Sequence, residues 1–514
     1  MGLLRTIYYC LKLRRHDKLQ PERIEAIRQK KLRQMVRFAQ RNSPFFAEHY
    51  RGIDPDAPDF SIQQLPPTTK EMLMENFDRV ATDRRLRLEG VQRWVKAPDR
   101  VGCWYRGRFV VTTTSGTTGA PGYFAYDRRD WDWVRALAVT RGIRFKPSFF
   151  GFFYHAGRIL VKKVRVALIS VLNGHFITYV LFRMTPPIGK LVSRFSYLSV
   201  IEPVDKLVAE LNQIQPNVLH CYPTMLEVLA HEQLAGRLRI QPWVLTCSSE
   251  PLTRPAREAI EQAFPDSPLY ETYGTSEGIN LASECDRHSG LHLNSDTFIV
   301  EPVDPAGRPV APGQPGDKVY VSCLFARAFP ILRYEIGDQA TRLQESCDCG
   351  LPYPLIHVQG RTDDTLWVQD AAGEPVALPP IPFEALFLGI DQLVQYQLVQ
   401  TAADELLVRF RVRDVEAEPA VRAELERRFV EYLGRKGVAD SVRLRLNRVD
   451  EIARDASCGK VRQIVSLVER PYLPGQPLGD RRSGSDRRQR AAAAPGRDRR
   501  QGERRTDDGA GEES

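Results

Sequence analysis

Residues 110–122, VVTTTSGTTGAPG, join a β-branched run to a turn rich in hydroxyl groups and glycine. The first half predicts a strand, and the second half predicts a loop with many free backbone N–H groups. Such a loop can wrap a phosphate chain. It is not a Walker A loop, because no Lys-Ser or Lys-Thr pair follows its last glycine, and it lacks the G-x-G-x-x-G spacing of dinucleotide sites. Taken alone, it could be an ordinary hairpin turn.

Four shorter motifs follow in order along the chain: YGTSE at 273–277, RYEIGD at 333–338, GRTDD at 360–364 and GK at 459–460. With the glycine loop, they resemble the core motifs of the adenylate-forming superfamily, which includes acyl-CoA synthetases, carrier-protein adenylation domains and luciferases. The resemblance is greatest to the phenylacetate-CoA ligase-like branch and spans about residues 25–468. Five motifs in one order are far more specific than any one of them.

The length of 514 residues predicts more than one domain. Strands alternate with helices between 204 and 272, which predicts an α/β fold with parallel strands and ligands at their carboxyl ends. The resemblance implies a large multi-sheet N-terminal adenylation domain over 1–360 and a small mobile α+β C-terminal lid domain over 361–470. Residues 471–514 are rich in Arg, Asp, Gly and Ala and predict a disordered tail.

Three further segments carry structural predictions. Helical periodicity over 21–50 predicts a helix that ends at Ser43 and Pro44, and 131–145 predicts an amphipathic helix followed by an aromatic strand at 149–154. The apolar segment 166–182 approaches the length of a membrane span, but Asn173 and Gly174 in its middle predict a turn between a buried helix and a buried strand instead.

Charge and cysteine content limit the compartment and partners. The net charge is +9, and residues 1–40 hold 11 Lys and Arg against 3 Asp and Glu. This basic N-terminus could make a weak membrane-surface contact, although a solvated helix face is the simpler interpretation, and we expect no nucleic-acid partner. Nine cysteines, mostly isolated in apolar surroundings, predict reduced thiols and a cytoplasmic protein.

The resemblance implies which positions bind ATP. The β- and γ-phosphates would be held by the loop residues Thr114, Ser115, Gly116, Thr117, Thr118 and Gly119. The rest of the nucleotide would contact Ser249, Glu250, Pro251, Tyr273, Gly274, Asp338 and Arg361. Within this set, Asp338 would accept the ribose hydroxyls and Arg361 would support the ribose.

The same resemblance implies the catalytic groups. Activating a carboxylate as an acyl-adenylate requires stabilisation of the charge that develops at the α-phosphorus. Thr275 would contact the α-phosphate, Glu277 would ligate Mg²⁺, and Lys460 would bridge the carboxylate and the α-phosphate. Asp363 would be the hinge about which the small domain rotates, and His175 would line the acyl pocket.

The sequence departs from the family pattern at two places. The family usually has Arg and Thr where this chain has Glu335 and Ile336, and it has glycines where this chain has Ser248 and Ser249. The first change removes a basic contact but keeps Asp338. The second places the adenine contact of this segment in doubt.

Cys285, His292, Cys347 and Cys349 include the soft ligands that suit zinc. The residues alone leave buried or incidental thiols as an alternative, because Cys347 and Cys349 form C-x-C and His288 competes with His292. Members of the resembled branch often carry a structural zinc cluster, so the resemblance implies one here.

The sequence therefore predicts an enzyme that uses ATP and Mg²⁺ to activate a carboxylic acid, with CoA or a carrier protein as acceptor of the acyl group. A rival prediction is a serine hydrolase, because residues 274–278 match G-x-S-x-G with Ser276 as nucleophile. A third is a nucleotide-binding or membrane-surface protein without activity. Retention of Glu277, Asp338 and Lys460 argues against the third, because turnover rather than folding needs them.

Overall fold

The computed structural model describes residues 2–114, 121–142, 163–172, 174–200, 202, 204–361, 366–373, 375–378, 383, 386–387, 390, 392–453 and 463–468. Several sequence predictions fall outside these residues. They concern the aromatic strand at 149–154, Ser115 to Gly119, the hinge at Asp363, Lys460 and the tail 471–514.

The α-helices of the described residues are α1 (Gly2–His16), α2 (Pro21–Asn42), α3 (Pro44–His49), α4 (Lys70–Glu75), α5 (Phe77–Val80), α6 (Leu88–Val95), α7 (Arg128–Arg141), α8 (Ile177–Arg183), α9 (Pro187–Val192), α10 (Val204–Ile214), α11 (Pro223–Leu234), α12 (Arg254–Ala263) and α13 (Glu418–Arg435). Single 3₁₀ turns occur at Ile62–Gln64, Pro98–Arg100 and Val415–Ala417.

The strands are β1 (Val110–Thr113), β2 (Tyr123–Tyr126), β3 (Val164–Ser170), β4 (Ser193–Ser199), β5 (Val218–Cys221), β6 (Val244–Ser248), β7 (Leu269–Tyr273), β8 (Ala282–Ser283), β9 (Leu291–Leu293), β10 (Phe298–Val303), β11 (Pro315–Gly316), β12 (Lys318–Cys323), β13 (Tyr334–Ile336), β14 (Asp338–Arg342), β15 (Leu355–Arg361), β16 (Leu366–Gln369), β17 (Pro375–Leu378), β18 (Leu393–Ala402), β19 (Glu405–Val412), β20 (Arg443–Arg448) and β21 (Ile464–Ser466).

A ten-stranded sheet forms the centre of the fold, in the order β11-β14-β15-β9-β8-β7-β6-β5-β3-β4. The five strands from β4 to β7 pair in parallel, with helices between strands that follow one another in sequence, and the strands beyond β7 pair antiparallel. The predicted α/β class and parallel pairing are confirmed. Because β6 and β7 are parallel neighbours, the loops after both strands lie at one edge of the sheet.

The remaining strands form smaller sheets. The hairpin β1-β2 pairs Val110 with Tyr126 and Thr113 with Tyr123, which places the glycine loop at its tip. A three-stranded sheet has the order β10-β12-β13, a two-stranded one joins β16 and β17, and a four-stranded one has the order β20-β19-β18-β21. The last sheet packs with α13 in a hydrophobic core formed within residues 366–464. The division into domains 1–360 and 361–470 stays a prediction.

A buried ion pair connects segments that are distant in the sequence. The guanidinium of Arg141 and the carboxylate of Asp296 are both fully buried, and the guanidinium donates to both carboxylate oxygens. It also donates to the Tyr353 hydroxyl at 2.5 Å and the Leu13 carbonyl at 3.4 Å, while the His16 ring lies 2.6 Å from Asp296. One charged pair therefore holds the end of α1, the end of α7 and the segments around 296 and 353.

The predicted helix boundaries were confirmed in one segment and wrong in another. The helix over 21–50 ends at Ser43 as expected, and the Ser43 hydroxyl then accepts the Phe46 N–H to begin α3. The helix expected from residue 131 begins at Arg128, because the Asp127 carboxylate accepts the N–H groups of Arg129 and Asp130.

The prediction for 166–182 was wrong in its order, because the strand β3 comes first and the helix α8 follows. A short apolar run does not distinguish the two by its periodicity. Among the described helices, none combines the length and apolar character that crossing a bilayer requires.

Candidate active site

The turn after β7 is the centre of the candidate site. A Cβ on Gly274 would lie 2.0 Å from the Ile279 carbonyl oxygen, so this position accepts only glycine. The Gly278 N–H donates to the Thr275 hydroxyl at 3.1 Å and the Ile279 N–H donates to the Thr275 carbonyl at 2.8 Å. The turn is therefore tight and places Thr275 and Glu277 at the carboxyl end of the parallel strands.

The β1-β2 hairpin is bonded directly to this turn. The Ser276 hydroxyl donates to the Thr113 carbonyl at 2.9 Å, and the Thr112 hydroxyl donates to the Ser276 carbonyl at 3.3 Å. The Tyr126 hydroxyl lies 2.8 Å from the Ser276 carbonyl and 3.0 Å from the Glu277 carbonyl. The hairpin that carries the glycine loop is thereby held beside the turn that carries Thr275 and Glu277.

Thr114 closes the base of the glycine loop. Its N–H donates to the Gly122 carbonyl at 3.0 Å, and its hydroxyl accepts the Gly122 N–H at 2.7 Å. The two ends of the loop are thus joined like the mouth of an Ω-loop. Of the predicted phosphate-binding residues, Thr114 lies within the described part of the chain and the others lie outside it.

The geometry around Ser276 is not that of a nucleophile elbow. Its hydroxyl donates to a main-chain carbonyl, and the chain after Gly278 continues through a turn into β8 rather than into a helix. A nucleophile elbow requires a strand, a sharp turn and a helix. The match to G-x-S-x-G therefore does not indicate a serine hydrolase.

Two carboxyl groups of the site, those of Glu277 and Asp338, influence each other electrostatically. Burial raises the pKa of Glu277 above its ordinary value, and the neighbouring Asp338 carboxylate raises it as well. The hydroxyls of Thr275 and Tyr334 bond to Glu277 and act in the opposite direction. The Tyr273 hydroxyl donates to Asp338 Oδ2 at 2.6 Å. The buried Glu277 carboxylate and the half-buried Asp338 carboxylate, with hydroxyl donors around them, form a set of hard oxygen ligands that suits Mg²⁺.

Asp338 and Arg361 are brought together by strand pairing. They are direct partners in the register of β14 and β15, although their sequence positions are far apart. The structure thus places the backbones of the two predicted ribose residues side by side. The roles of both residues stay predictions.

The loop after β6 contains Ser249, one of the residues that depart from the family pattern. Ser249 has φ of 74°, in the left-handed region that favours glycine. Glu250 follows it, and its Oε2 accepts the N–H and the hydroxyl of Thr224 at 3.2 and 2.8 Å. The backbone here needs the conformation that the family's glycine provides, and the Glu250 carboxylate fixes the segment up to Pro251 to the start of α11.

His175 lies beside β1. Its carbonyl accepts the Thr113 N–H at 2.9 Å, and its ring bonds to the Val111 backbone. Burial lowers the pKa of His175, and its Nε2 has no hydrogen-bond partner among the described residues. The imidazole is thus a neutral polar group next to the strand that leads into the glycine loop, and its part in an acyl pocket stays a prediction.

The sequence analysis did not assign roles to Tyr334 and Tyr126. Tyr334 lies inside the RYEIGD motif, which was the available signal, but its contact with Glu277 depends on the pairing of β12 with β13. Glu335 points to another partner, since Lys318 Nζ lies 2.7 Å from its carboxylate. The side chain at 335 is therefore occupied by an ion pair with Lys318.

A second cluster lies around His292, the middle residue of β9. One ligand atom from each of Cys285, His292, Cys347 and Cys349 falls within 4.8 Å of the others. The Cys285 and Cys347 sulfurs are 3.7 Å apart, which is about the edge of a tetrahedron with Zn–S bonds of about 2.3 Å. The Cys349 sulfur lies 3.3 Å from His292 Nε2, and His292 Nδ1 lies 3.2 Å from the Tyr353 carbonyl.

The orientation of His292 fits a metal ligand. If Nδ1 donates to the carbonyl, Nε2 is left as an electron-pair donor toward the thiols. Burial raises the pKa of the Cys285 thiol to about 12, so a cation is needed to hold a thiolate there. His288, the competing histidine, lies 3.4 Å from Glu284 and is not in the cluster.

The fold and the sequence match known proteins. A crystal structure of 2-hydroxyisobutyryl-CoA ligase in the postadenylation state, in complex with an acyl-AMP, superposes with a TM-score of 0.64 at 20% identity, over 89% of this chain and 92% of that one. The chain has the adenylate-forming fold. No protein-family model matches its sequence.

Relatives from the predicted branch resemble this chain in sequence. A phenylacetate-coenzyme A ligase of Thermus thermophilus is 25% identical over 486 residues, which cover 90% of this chain and 95% of the relative. A phenylacetate-coenzyme A ligase of Pseudomonas putida is 32% identical over 201 residues, or 37% of this chain and 43% of the relative. The resemblance to the phenylacetate-CoA ligase-like branch is confirmed.

Proposed function

We propose that this protein is an ATP-dependent, AMP-forming carboxylate ligase that makes an acyl-adenylate and then an acyl-CoA thioester. The observation that carries the proposal is the convergence of Thr275, Glu277 and Asp338 at the carboxyl end of the parallel strands, bonded to the base of the glycine loop. A phosphate-wrapping loop, a buried metal ligand and an acidic ribose acceptor are the parts that adenylation needs.

In the first step, a carboxylate oxygen attacks the α-phosphorus of ATP and pyrophosphate leaves. Glu277 would hold Mg²⁺, Thr275 would contact the α-phosphate, and Asp338 would accept from the ribose. In the second step, a thiol attacks the acyl carbonyl carbon, its proton is lost, and AMP leaves. Lys460 would support the first step, and rotation about Asp363 between domains 1–360 and 361–470 would expose the adenylate to the thiol.

The choice of acceptor rests on the relatives. The named relatives and the superposed structure are CoA ligases, which supports CoA over the thiol of a carrier protein. A carrier protein remains the alternative acceptor. A panel of carboxylic acids would identify the substrate class.

The test is acid-dependent release of pyrophosphate from MgATP, across aryl and aliphatic acids, for the wild type, Glu277→Gln and Lys460→Ala. We expect release with at least one acid and its loss in both variants, with thioester formed when CoA is added. Glu335→Gln is the matched control, because Glu335 lies near Asp338 but pairs with Lys318. Absence of release with every acid, in a protein that binds ATP, would overturn the proposal in favour of a nucleotide-binding protein.

We propose that Cys285, His292, Cys347 and Cys349 hold a structural zinc ion. The tetrahedral sulfur spacing and the oriented imidazole support this. Metal analysis of the purified protein should give about one zinc per chain, and Cys347→Ser should lose it and lower the melting temperature. Cys103→Ser, at an exposed free cysteine, is the matched control. A wild type that retains full stability after chelation, with no bound zinc, would contradict this site.

We further propose a cytoplasmic location. The eight cysteines that lie in the described part of the chain form no disulfide, which suits a reducing compartment. Recovery of the protein in an oxidising compartment by cell fractionation would contradict it.

A further inference from the structure

Helix α1 (Gly2–His16) is fixed to the protein by one of its faces. The buried residues of this face are Thr6, Tyr9, Leu13 and His16. The Arg5 guanidinium bonds to Asp132 on α7 at 2.7 Å, and the Tyr9 ring stacks on Trp133 with centroids 4.0 Å apart. With the contacts of its last turn to Arg141 and Asp296, the helix is held along its whole length.

The opposite face carries a continuous apolar stripe. Its exposed side chains are Leu3 (44%), Leu4 (75%), Ile7 (46%), Tyr8 (60%) and Leu11 (63%). Three exposed cations extend the stripe: Arg14 and Arg15 in the last turn of the helix, and Lys18 in the turn that follows it. At about 100° per residue, the seven helical positions fall within an arc of about 140°. Asp17, the acidic residue of this segment, bonds instead to Arg141 and Tyr353.

We propose that this face of α1 docks on an anionic membrane surface. An interfacial helix lies in the plane of the bilayer, with its apolar side chains in the headgroup boundary and its cations at the lipid phosphates. The helical part of the stripe, from Leu3 to Arg15, is about 18 Å long. Its side chains offer apolar contact and positive charge with no acidic group between them, which is complementary to anionic lipid.

The charge pattern disfavours a second copy of the chain as the occupant. A parallel pair of these stripes would bring Arg14, Arg15 and Lys18 against the same cations. An antiparallel pair would press the cations onto the apolar side chains around Leu4. Both arrangements oppose like charges or bury charge without a partner, which costs free energy.

The test is co-sedimentation of the full-length protein with vesicles of phosphatidylcholine, with or without about 30 mol% phosphatidylglycerol. We expect binding to the anionic vesicles and at least about tenfold weaker binding to the neutral ones. Leu4→Gln with Leu11→Gln should weaken binding by about tenfold or more, because two of the most exposed apolar groups are lost. Arg14→Gln with Arg15→Gln should weaken it by about 25-fold, at about fivefold per charge, and should reduce its salt dependence.

The matched control is Val415→Gln with Val430→Gln, which removes apolar groups that are 61% and 55% exposed but lie outside α1. This control should bind like the wild type. All variants should keep the wild-type melting temperature and pyrophosphate release, which separates this proposal from the proposed reaction. Equal sedimentation of the wild type and the α1 variants would overturn it. A dimer in light scattering that the Leu4 and Leu11 changes abolish, without vesicle binding, would instead assign the face to a second copy.

Discussion

Replacing Asp338 by Asn tests the centre of the proposed nucleotide site. The carboxylate offers two oxygens, and the Tyr273 hydroxyl already bonds to one of them at 2.6 Å. Asparagine keeps one acceptor oxygen, for which a ribose hydroxyl and Tyr273 must then compete. A hydrogen bond to a charged group contributes about 1.5–3 kcal/mol, so losing one such bond predicts a fall in kcat/KM for ATP of about 10- to 150-fold.

The assay is pyrophosphate release at varied ATP and saturating acid, with KM for the acid measured in parallel. KM for the acid should be little changed, because the proposed role concerns the nucleotide. Glu335→Gln lies three positions earlier and should stay within about twofold of the wild type, since it loses only a half-exposed ion pair with Lys318. A kcat/KM for ATP within about threefold of wild type in Asp338→Asn would refute the ribose role.

Three further predictions concern the site and its support. Ser276→Ala removes the hydrogen bond to the Thr113 carbonyl and should lower the free energy of unfolding by about 1 kcal/mol, while pyrophosphate release persists. Complete loss of activity in a folded variant would instead favour the serine hydrolase prediction. Arg141→Met removes the guanidinium that binds the buried Asp296 carboxylate and should lower the free energy of unfolding by about 3–5 kcal/mol. Calorimetry should show this as a fall in melting temperature of at least about 5 °C. Adding Asp296→Leu should recover most of the lost stability. A single variant as stable as the double one would contradict that account. Because burial raises the pKa of Glu277, protons should compete with Mg²⁺, so the Kd for MgATP in an equilibrium binding assay should rise as the pH falls through that pKa, and the Kd of Glu277→Gln should show no such dependence. In the metal-free protein, the folded chain holds the Glu277 proton to a higher pH than the unfolded chain. The free energy of unfolding should therefore fall as the pH rises from the ordinary carboxyl range through the raised pKa.

Much of the fold followed from local pattern. The alternation of strands and helices between 204 and 272 required parallel pairing, and the ends of β6 and β7 duly lie at one edge. Thr275 and Glu277 could be assigned to one site because two residues in the same turn lie close together in any tertiary structure. The start of α7 was also readable, since Asp127 and Asp130 have the spacing of a capping box, but the prediction placed it three residues late.

The rest depended on long-range register. Tyr334 contacts Glu277, and the backbone of Arg361 pairs with that of Asp338, only because particular strands pair in a particular register. The sequence showed a serine at 249 where glycine is usual, but the positive φ that gives this meaning is a property of the folded loop. The choice of His292 over His288 likewise needed the position of the loop with Cys347, which pairing of β14 with β15 sets.

The buried pair of Arg141 and Asp296 has a consequence for how the chain is made. His16 and its partner Asp296 are separated by 280 residues. A ribosome that adds about 5–20 residues per second needs roughly 14–56 s to cover that distance. During this interval the last turn of α1 has no carboxylate to bind, although α7, which contacts Arg5 and Tyr9, is synthesised well before Asp296. The last turn and the exposed apolar stripe of α1 are therefore open to chaperones or lipid before this ion pair can form.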